Sequence, residues 1–328
     1  MALQLRRMVE GDVEGVIRCF ESCYGRTYIE EFYDPEWMRD QIRTGFLRSV
    51  VAVDDEAGIV GHMALKIVYE GSLACEAGST VVDPAFRKRG LMSQMGRMIT
   101  ALCVSEGFVG NVNEPTTAHE IMQRQSTRRG GVETGIMLEL VPAETEFYDF
   151  EVGTGRTAVT VVYQPLAKAP ARDVFVPAVY HEVVERLYSE IGLERELVDA
   201  TAVADTEAPS ESVVVESIST QHRLRRWFVE RVGTDLGAIV DQEASSPVEI
   251  TQVDLCLDDP GVECATATLR QRGFFYSALQ PEFARTDLLR LQRLESPGPN
   301  AFSPRLVNEG AKKLLALMLA DVAGELDG

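Results

Sequence analysis

The apolar and polar positions of this chain change period several times, and each change marks an element. "LQLRRMV" alternates and reads as a strand. Gly11-Asp12 then opens a helix with Val16, Cys19, Phe20 and Cys23 on one stripe. "DPEWMRDQIRTG" predicts a second helix, with Asp34 as N-cap, Pro35 at its first position and Gly45 as its stop. "RSVVAVDDEAGIVGHMALKIVYEG" reads as two strands joined by a turn at Asp54–Gly58, and "ACEAGSTVVD" as a third. A helix with Leu91, Met95, Met98 and Leu102 on one stripe runs to about Gly107. "FVGNVNE" (strand), "TTAHEIMQRQSTRRGG" (short helix) and "VETGIMLELV" (strand) follow.

The order then repeats. A helix closed by Gly130, a strand ending near Pro142 and the apolar strand "RTAVTVVYQPL" have a second version near the C-terminus. There a helix closes at Gly273, a strand ends near Pro281, and "TDLLRLQRL" follows. Two similar lobes are the economical reading, divided in "LAKAPARD" into residues 1–168 and 169–328. "DATAVADTEAPSES" (199–212) reads as an acidic loop in the second lobe, and "PRLVNEGAKKLLALMLADVAGEL" as a closing amphipathic helix. Strands such as "GIMLEL", "TVVYQPL", "FFYSALQ" and "LLRLQRL" are apolar on both faces and demand cover. They predict an extensive interface between the lobes, and strands adjacent across it would satisfy them.

Composition narrows the function. At 328 residues, 45% apolar and 25% charged, the chain is that of an ordinary globular protein long enough for two domains. No run approaches the ~20 apolar residues of a membrane span, and "MALQLRRMVEGD" lacks a signal-peptide core, so a cytoplasmic protein without a membrane partner is expected. The six cysteines have no zinc-like spacing; buried thiols and no metal are the expectation. A net charge of −19 argues against a nucleic-acid partner and makes the basic run Arg87-Lys88-Arg89 conspicuous.

That run follows the strand "STVVDP" and stands, with Gly90, at the start of a helix. Unpaired amides, helix polarity, arginine charge and a glycine that admits close approach together suit a pyrophosphate. Arg87-x-x-Gly90 in this setting resembles the acyl-CoA-binding motif of the GNAT N-acetyltransferase superfamily, Gln/Arg-x-x-Gly-x-Gly/Ala, over a lobe running from Leu3 to about Leu166. Met92 departs from the motif's last position; it either crowds the pyrophosphate or points into the core.

The resemblance implies an α/β (α+β) fold of two lobes, each a mixed, mostly antiparallel sheet flanked by helices, with splayed central strands in the first. It implies acetyl-CoA as co-substrate. The backbone of Thr80, Val81 and Val82 would pair with pantetheine, and the amides of Arg87, Lys88, Arg89, Gly90, Leu91 and Met92 would hold the pyrophosphate. Glu76 would be the general base, with Asn113 and Glu114 facing the same gap. Counting back from Gly130-Gly131 puts Ser126 where many members carry a tyrosine acid, and His119 where many carry a CoA-contacting asparagine. Ser126, His119 or water would then protonate the leaving thiolate. The first helices and their connection would line the acceptor site, here with Tyr28, Glu31 and Tyr33, a set suited to a cationic amine.

No second cofactor motif occurs; "RRWFVERVGTDLGAIV" lacks it, and Arg270-x-x-Gly273 ends a helix rather than starting one. The second lobe is expected to be degenerate and to shape the acceptor site, with His181 and His222 structural. The expected activity is acetyl transfer to a small primary amine by a monomer or homodimer. The competing readings are a non-catalytic acyl-CoA-binding or regulatory protein and a protein-lysine acetyltransferase.

Overall fold

The structure is a computed structural model describing residues 3–146, 155–199, 209–242 and 248–326. Most of the acidic loop expected at 199–212 lies outside the described residues. The first lobe comprises β1 (Leu3–Arg7), α1 (Val13–Tyr24), α2 (Pro35–Thr44), β2 (Val50–Asp54), β3 (Gly58–Lys66), β4 (Ala74–Val82), α3 (Leu91–Ser105), β5 (Gly110–Asn113), α4 (Glu120–Arg128), β6 (Val132–Val141) and β7 (Thr157–Pro165). The second comprises β8 (Arg172–Val176), α5 (His181–Ile191), β9 (Arg195–Asp199), β10 (Val213–Ser219), β11 (Leu224–Arg231), α6 (Leu236–Gln242), β12 (Ile250–Cys256), α7 (Val262–Arg270), β13 (Phe275–Gln280), β14 (Leu288–Leu294) and α8 (Glu309–Val322). The expected caps form: the Asp34 carboxylate accepts from the amides of Glu36 and Trp37, and Gly45 ends α2 in the left-handed region.

Among the described residues twelve strands make one mixed sheet, ordered β1-β2-β3-β4-β5-β7-β6-β13-β14-β12-β11-β10; β8 and β9 pair separately. In the first lobe β4 and β5 run parallel, and their register covers only Ala74–Glu76 against Gly110–Val112. Beyond Glu76 the strands part, so no neighbouring strand pairs with the β5-facing edge of β4 from Ala77 onwards, although Arg87 Nε donates to the Val82 carbonyl. The matching pair in the second lobe, β11 and β12, stays zipped from Leu224–Ile250 to Val229–Leu255. One lobe has a gap and the other does not.

Repetition extends to backbone detail at a constant offset of 143 residues (130 to 273, 135 to 278, 139 to 282). Gly130 and Gly273 close α4 and α7 with φ of 85° and 81°, and Glu139 and Glu282 share a left-handed conformation at 55° and 56°. Both lobes carry a register shift at the same place, between Glu133 and Gly135 and between Tyr276 and Ala278. The lobes join where these equivalent strands meet antiparallel, with Gly135 opposite Ala278. Each residue faces its own counterpart, as at the two-fold axis of a symmetric dimer. A Cβ on Gly135 would overlap the Ser277 carbonyl and both Cα and Cβ of Ala278.

The sheet is strongly rolled. Laid flat, the seven steps from β4 to β11 would span about 30 Å. Yet Tyr69, just before β4, stacks on Phe228 of β11 with centroids 4.5 Å apart. The Glu282 carbonyl accepts from Leu73 and Ala74, which closes the roll at its lower end. Val112, Met137, Val159 and Val161 of the first lobe pack inside it with Cys256, Ala278 and Leu288 of the second. On the outside, Ile136 and Leu138 of β6 join Leu314 and Met318 of α8 in the second lobe's core. The doubly apolar strands are thus covered, and strands are adjacent across the lobe boundary.

Candidate active site

Between β4 and α3 the chain turns through Asp83–Gly90. The Asp83 carboxylate accepts from Ala85, and Lys88 and Gly90 are left-handed with φ of 61° and 72°. Gly90 carries this conformation without strain at the helix start. The first helical bond of α3 runs from Gln94 to the Gly90 carbonyl, so the amides of Leu91, Met92 and Ser93 have no acceptor within the helix. Lys88, Arg89 and Gly90 are exposed. The Arg89 guanidinium lies over the Phe86 ring at 4.6 Å, while Arg87 turns back, donating from Nε to the Val82 carbonyl and from Nη2 to Cys23 Sγ. Met92 packs against the core under α3, so its bulk does not crowd the loop. In the second lobe the amides of the turn before α6 are already used: Val232 donates to Asp259, Gly233 to Ser212 Oγ and Thr234 to the Pro209 carbonyl.

Strand β4 is kinked at the gap. Ser79 is left-handed (φ 46°), and two residues of β4 lie opposite Met63 of β3. The bulge is held from below by His62, whose Nδ1 donates to the Ser79 carbonyl (2.9 Å) and whose Nε2 accepts from Ser49 Oγ (2.8 Å). Burial lowers the His62 pKa to about 4. The unfolded chain therefore takes up a proton near pH 6.5 that the fold refuses, and stability falls as pH drops from about 6.5 towards 4. Between pH 7 and 5 His62 alone should cost the fold about 2 kcal/mol, seen as a lower thermal midpoint. In His62→Gln that slope should flatten, leaving the share of His222, whose pKa burial also lowers to about 4. An unchanged slope would mean that His62 is protonated in the fold.

Around Glu76 the gap holds paired and unpaired charges from both lobes. Glu76 Oε1 and Lys66 Nζ form an ion pair at 2.6 Å. Burial opposes the Lys66 ammonium, but the Glu76 carboxylate outweighs it and the lysine pKa is raised. Glu114 follows β5 and is partly buried. Burial first, and then the nearby Glu76 charge, raise its pKa, against the opposing pull of Arg290, Arg226 and Lys66. From the second lobe come Asp254 and Arg290, bonded at 2.6 and 2.8 Å, with Tyr69 donating to Asp254 at 2.7 Å. Arg226 donates from Nε and Nη2 to Gln252 Oε1.

Tyr28 closes this side. Its hydroxyl donates to Ser79 Oγ at 3.3 Å, near enough to Glu76 and Glu114 that their charges help burial to raise its pKa. Its ring stacks on Phe20 at 5.0 Å. The second lobe grips this loop: Gln221 accepts from the Glu30 amide and donates to the carbonyls of Tyr28 and Thr27.

Of the residues expected from sequence, the structure brings together Glu76, Tyr28, Thr80, Val81, Val82 and the Arg87–Met92 loop around one gap. Tyr33 lies behind Tyr28, its hydroxyl accepting from the Tyr28 amide, and burial pushes its pKa up to about 12. Glu31 is exposed. His119 stands at the N-cap position of α4, and burial lowers its pKa. Ser126 is buried on α4, and among the described residues no hydrogen bond ties it to Glu76, Glu114 or Tyr28. The face of α4 bearing Gln123 is held instead by Arg305, Val307 and Asn308. Sequence reasoning did not single out Lys66, Gln221, Arg226 and Asp254; of these only Lys66, the charge that ends the apolar run "MAL", left a local signal.

Residues 13–119 match the model of the acetyltransferase (GNAT) family. By this match, residues 13–119 carry an acetyltransferase domain of the GNAT family. No curated protein matches the chain. Among solved structures it resembles an N-acetyltransferase from Staphylococcus aureus Mu50, at 12% identity over 51% of this chain and 99% of that one, with a TM-score of 0.41. A phosphinothricin acetyltransferase from Sinorhizobium meliloti in complex with acetyl-CoA gives 16% identity, 52% and 91% coverage and 0.41. A spermidine N-acetyltransferase from Vibrio cholerae gives 16% identity, 51% and 95% coverage and 0.40. No described helix is long and apolar enough to cross a membrane.

Proposed function

We propose that the first lobe binds acetyl-CoA in the gap between β4 and β5 and transfers its acetyl group to the primary amine of a small molecule held between the lobes. The observation that carries this reading is the edge of β4 that no strand pairs beyond Glu76, leading directly into the amides of Leu91, Met92 and Ser93 at the start of α3; the Arg87 amide, expected to join them, is held instead by the Pro84 carbonyl. Pantetheine is a chain of amides; an unpaired strand edge offers it the bonds a neighbouring strand would make. Pyrophosphate is a doubly charged group, and a helix start with exposed Lys88 and Arg89 suits it.

In the reaction the amine nitrogen attacks the thioester carbonyl, the C–S bond breaks with its electron pair leaving on the CoA thiolate, which takes a proton from water, and the amine loses a proton. We assign that proton to Glu114 rather than to Glu76. Glu76 is committed to Lys66, whereas the raised pKa of Glu114 brings it nearer to the value that serves a base at neutral pH. Glu76 is left to hold the ammonium before it is deprotonated. Residues 1–168 and 169–328 would act as one unit, the first lobe holding the donor and the second shaping the acceptor site.

Calorimetry with acetyl-CoA should give one site per chain, because β11 and β12 are zipped and the amides before α6 are occupied. Two equivalent sites would refute the account of the second lobe. A screen of amines by thiol release tests the chemistry. Tight acetyl-CoA binding without release from any amine would favour a binding protein over an enzyme.

A further inference from the structure

Resting on the acceptor site proposed above, we infer that the amine acceptor also carries an anionic group, carboxylate or phosphonate, which the second lobe binds through Arg226 and Gln252. The charges facing the gap are Lys66, Arg226 and Arg290 against Glu76, Glu114 and Asp254. They cancel, although the chain as a whole carries −19. A site for a polyamine would keep an excess of carboxylates. A zwitterion is matched by a site of zero net charge with its signs separated.

The signs are separated. Glu76 is paired with Lys66, and Asp254 with Arg290. Glu114, from the first lobe, has no ion-pair partner within 4.0 Å among the described residues, and nor does Arg226, from the second. Other arginines around the lobe junction do have carboxylates: Arg156 has Glu249, Arg172 and Arg195 have Glu282, and Arg223 has Glu144. Arg226 has only the neutral Gln252 oxygen, leaving Nη1 with no hydrogen-bond acceptor in the described protein.

Gln252 supplies an independent sign of a missing anion. It is fully buried, its oxygen is held by Arg226, and its Nε2 has no hydrogen-bond partner. An unsatisfied buried donor beside an unpaired guanidinium is costly unless an acceptor arrives. A carboxylate or phosphonate on the acceptor would take both donors, with its amine turned across the gap towards Glu114. The hairpin carrying Gln221 leads directly into β11, so the element that grips the Tyr28 loop also carries the anion site.

The test is a panel of small α-amino acids, their methyl esters, aminoalkylphosphonates, simple alkylamines and a polyamine, with the full-length chain and acetyl-CoA. The wild type should favour amino acids or phosphonates over their uncharged counterparts in KM. In Arg226→Gln that preference should shrink by about 10- to 100-fold, the scale of a lost charge-assisted contact; Arg226→Lys should restore part of it. Acetyl-CoA binding should be unchanged in both variants, which separates loss of the anion site from misfolding. Preference for the carboxylate or the phosphonate arm identifies the anion. Equal use of esters and acids, or preference for the polyamine, would overturn the inference and leave the acetyltransferase reading standing. Should no amine release thiol, calorimetric binding of the same panel to the acetyl-CoA-loaded wild type and Arg226→Gln still decides it: loss of acid binding in the variant supports it, and equal binding refutes it.

Discussion

Replacing Glu114 by glutamine should lower kcat/KM for the amine by ~100-fold or more, the usual scale for a lost general base, with acetyl-CoA affinity unchanged. The pH profile is the sharper readout. Glu114 acts as a carboxylate and its pKa is raised, so activity should fall on acidification along a limb above the ordinary carboxylate range. The groups that set this limb are Glu76, Lys66, Arg226 and Arg290, with the neutral Tyr28 hydroxyl beside them. In Glu76→Gln the negative neighbour is gone and Lys66 is released, so the limb should move towards lower pH. That variant should also lose stability, because the Lys66 ammonium stays buried without its partner. Full activity in Glu114→Gln together with an inactive Glu76→Gln would return the base to Glu76.

The second large effect is expected at Gly135, where the lobes meet. Gly135→Val places three carbons where the Ser277 carbonyl and Ala278 already stand, and the seam must open to admit them. We expect a loss of at least about 3 kcal/mol, the upper range for overpacking, seen as a thermal midpoint lowered by several degrees. Transfer to the amine should fall further than acetyl-CoA binding, since the donor gap lies wholly within the first lobe while Gln221 and Arg226 approach across the seam. Truncating the chain near Ala167 would go further, baring the edge of β6 and the apolar faces that α8 covers, and the fragment should be insoluble or inactive. A soluble, fully active fragment would leave the second lobe with no part in the reaction.

What could be read from the sequence divides by distance along the chain. The Arg87–Met92 turn, the Asp34 cap and the strands around Glu76 are local signals, each carried by residues within a few positions of one another. The repeat was legible because Gly130 and Gly273 stop helices and Pro142 and Pro281 end strands. Its axis was not: Gly135 and Ala278 look like ordinary strand residues, and only the pairing of β6 with β13 gives them meaning. Arg226 was equally silent. It sits in a strand 150 positions beyond Glu76, and the rolled sheet alone brings it to the gap. Ser126 and His119 show the converse limit. Counting positions places them at the start of α4 and along it, while the contacts of Gln123 on that helix with the C-terminal segment are tertiary and leave no local signal.

The pairing of Gly135 with Ala278 has a further consequence. Following the strand registers outwards from it, Val132, Tyr163, Val112 and Glu76 correspond in turn to Phe275, Gln292, Gln252 and Arg226. The proposed ammonium holder and the proposed anion holder are therefore the same position in the two halves, bearing opposite charges. Two identical subunits related by such an axis would carry two acids or two bases there, never one of each. Joining the halves into a single polypeptide frees each copy to diverge, and it makes the cleft indifferent to dilution, because its two walls cannot drift apart.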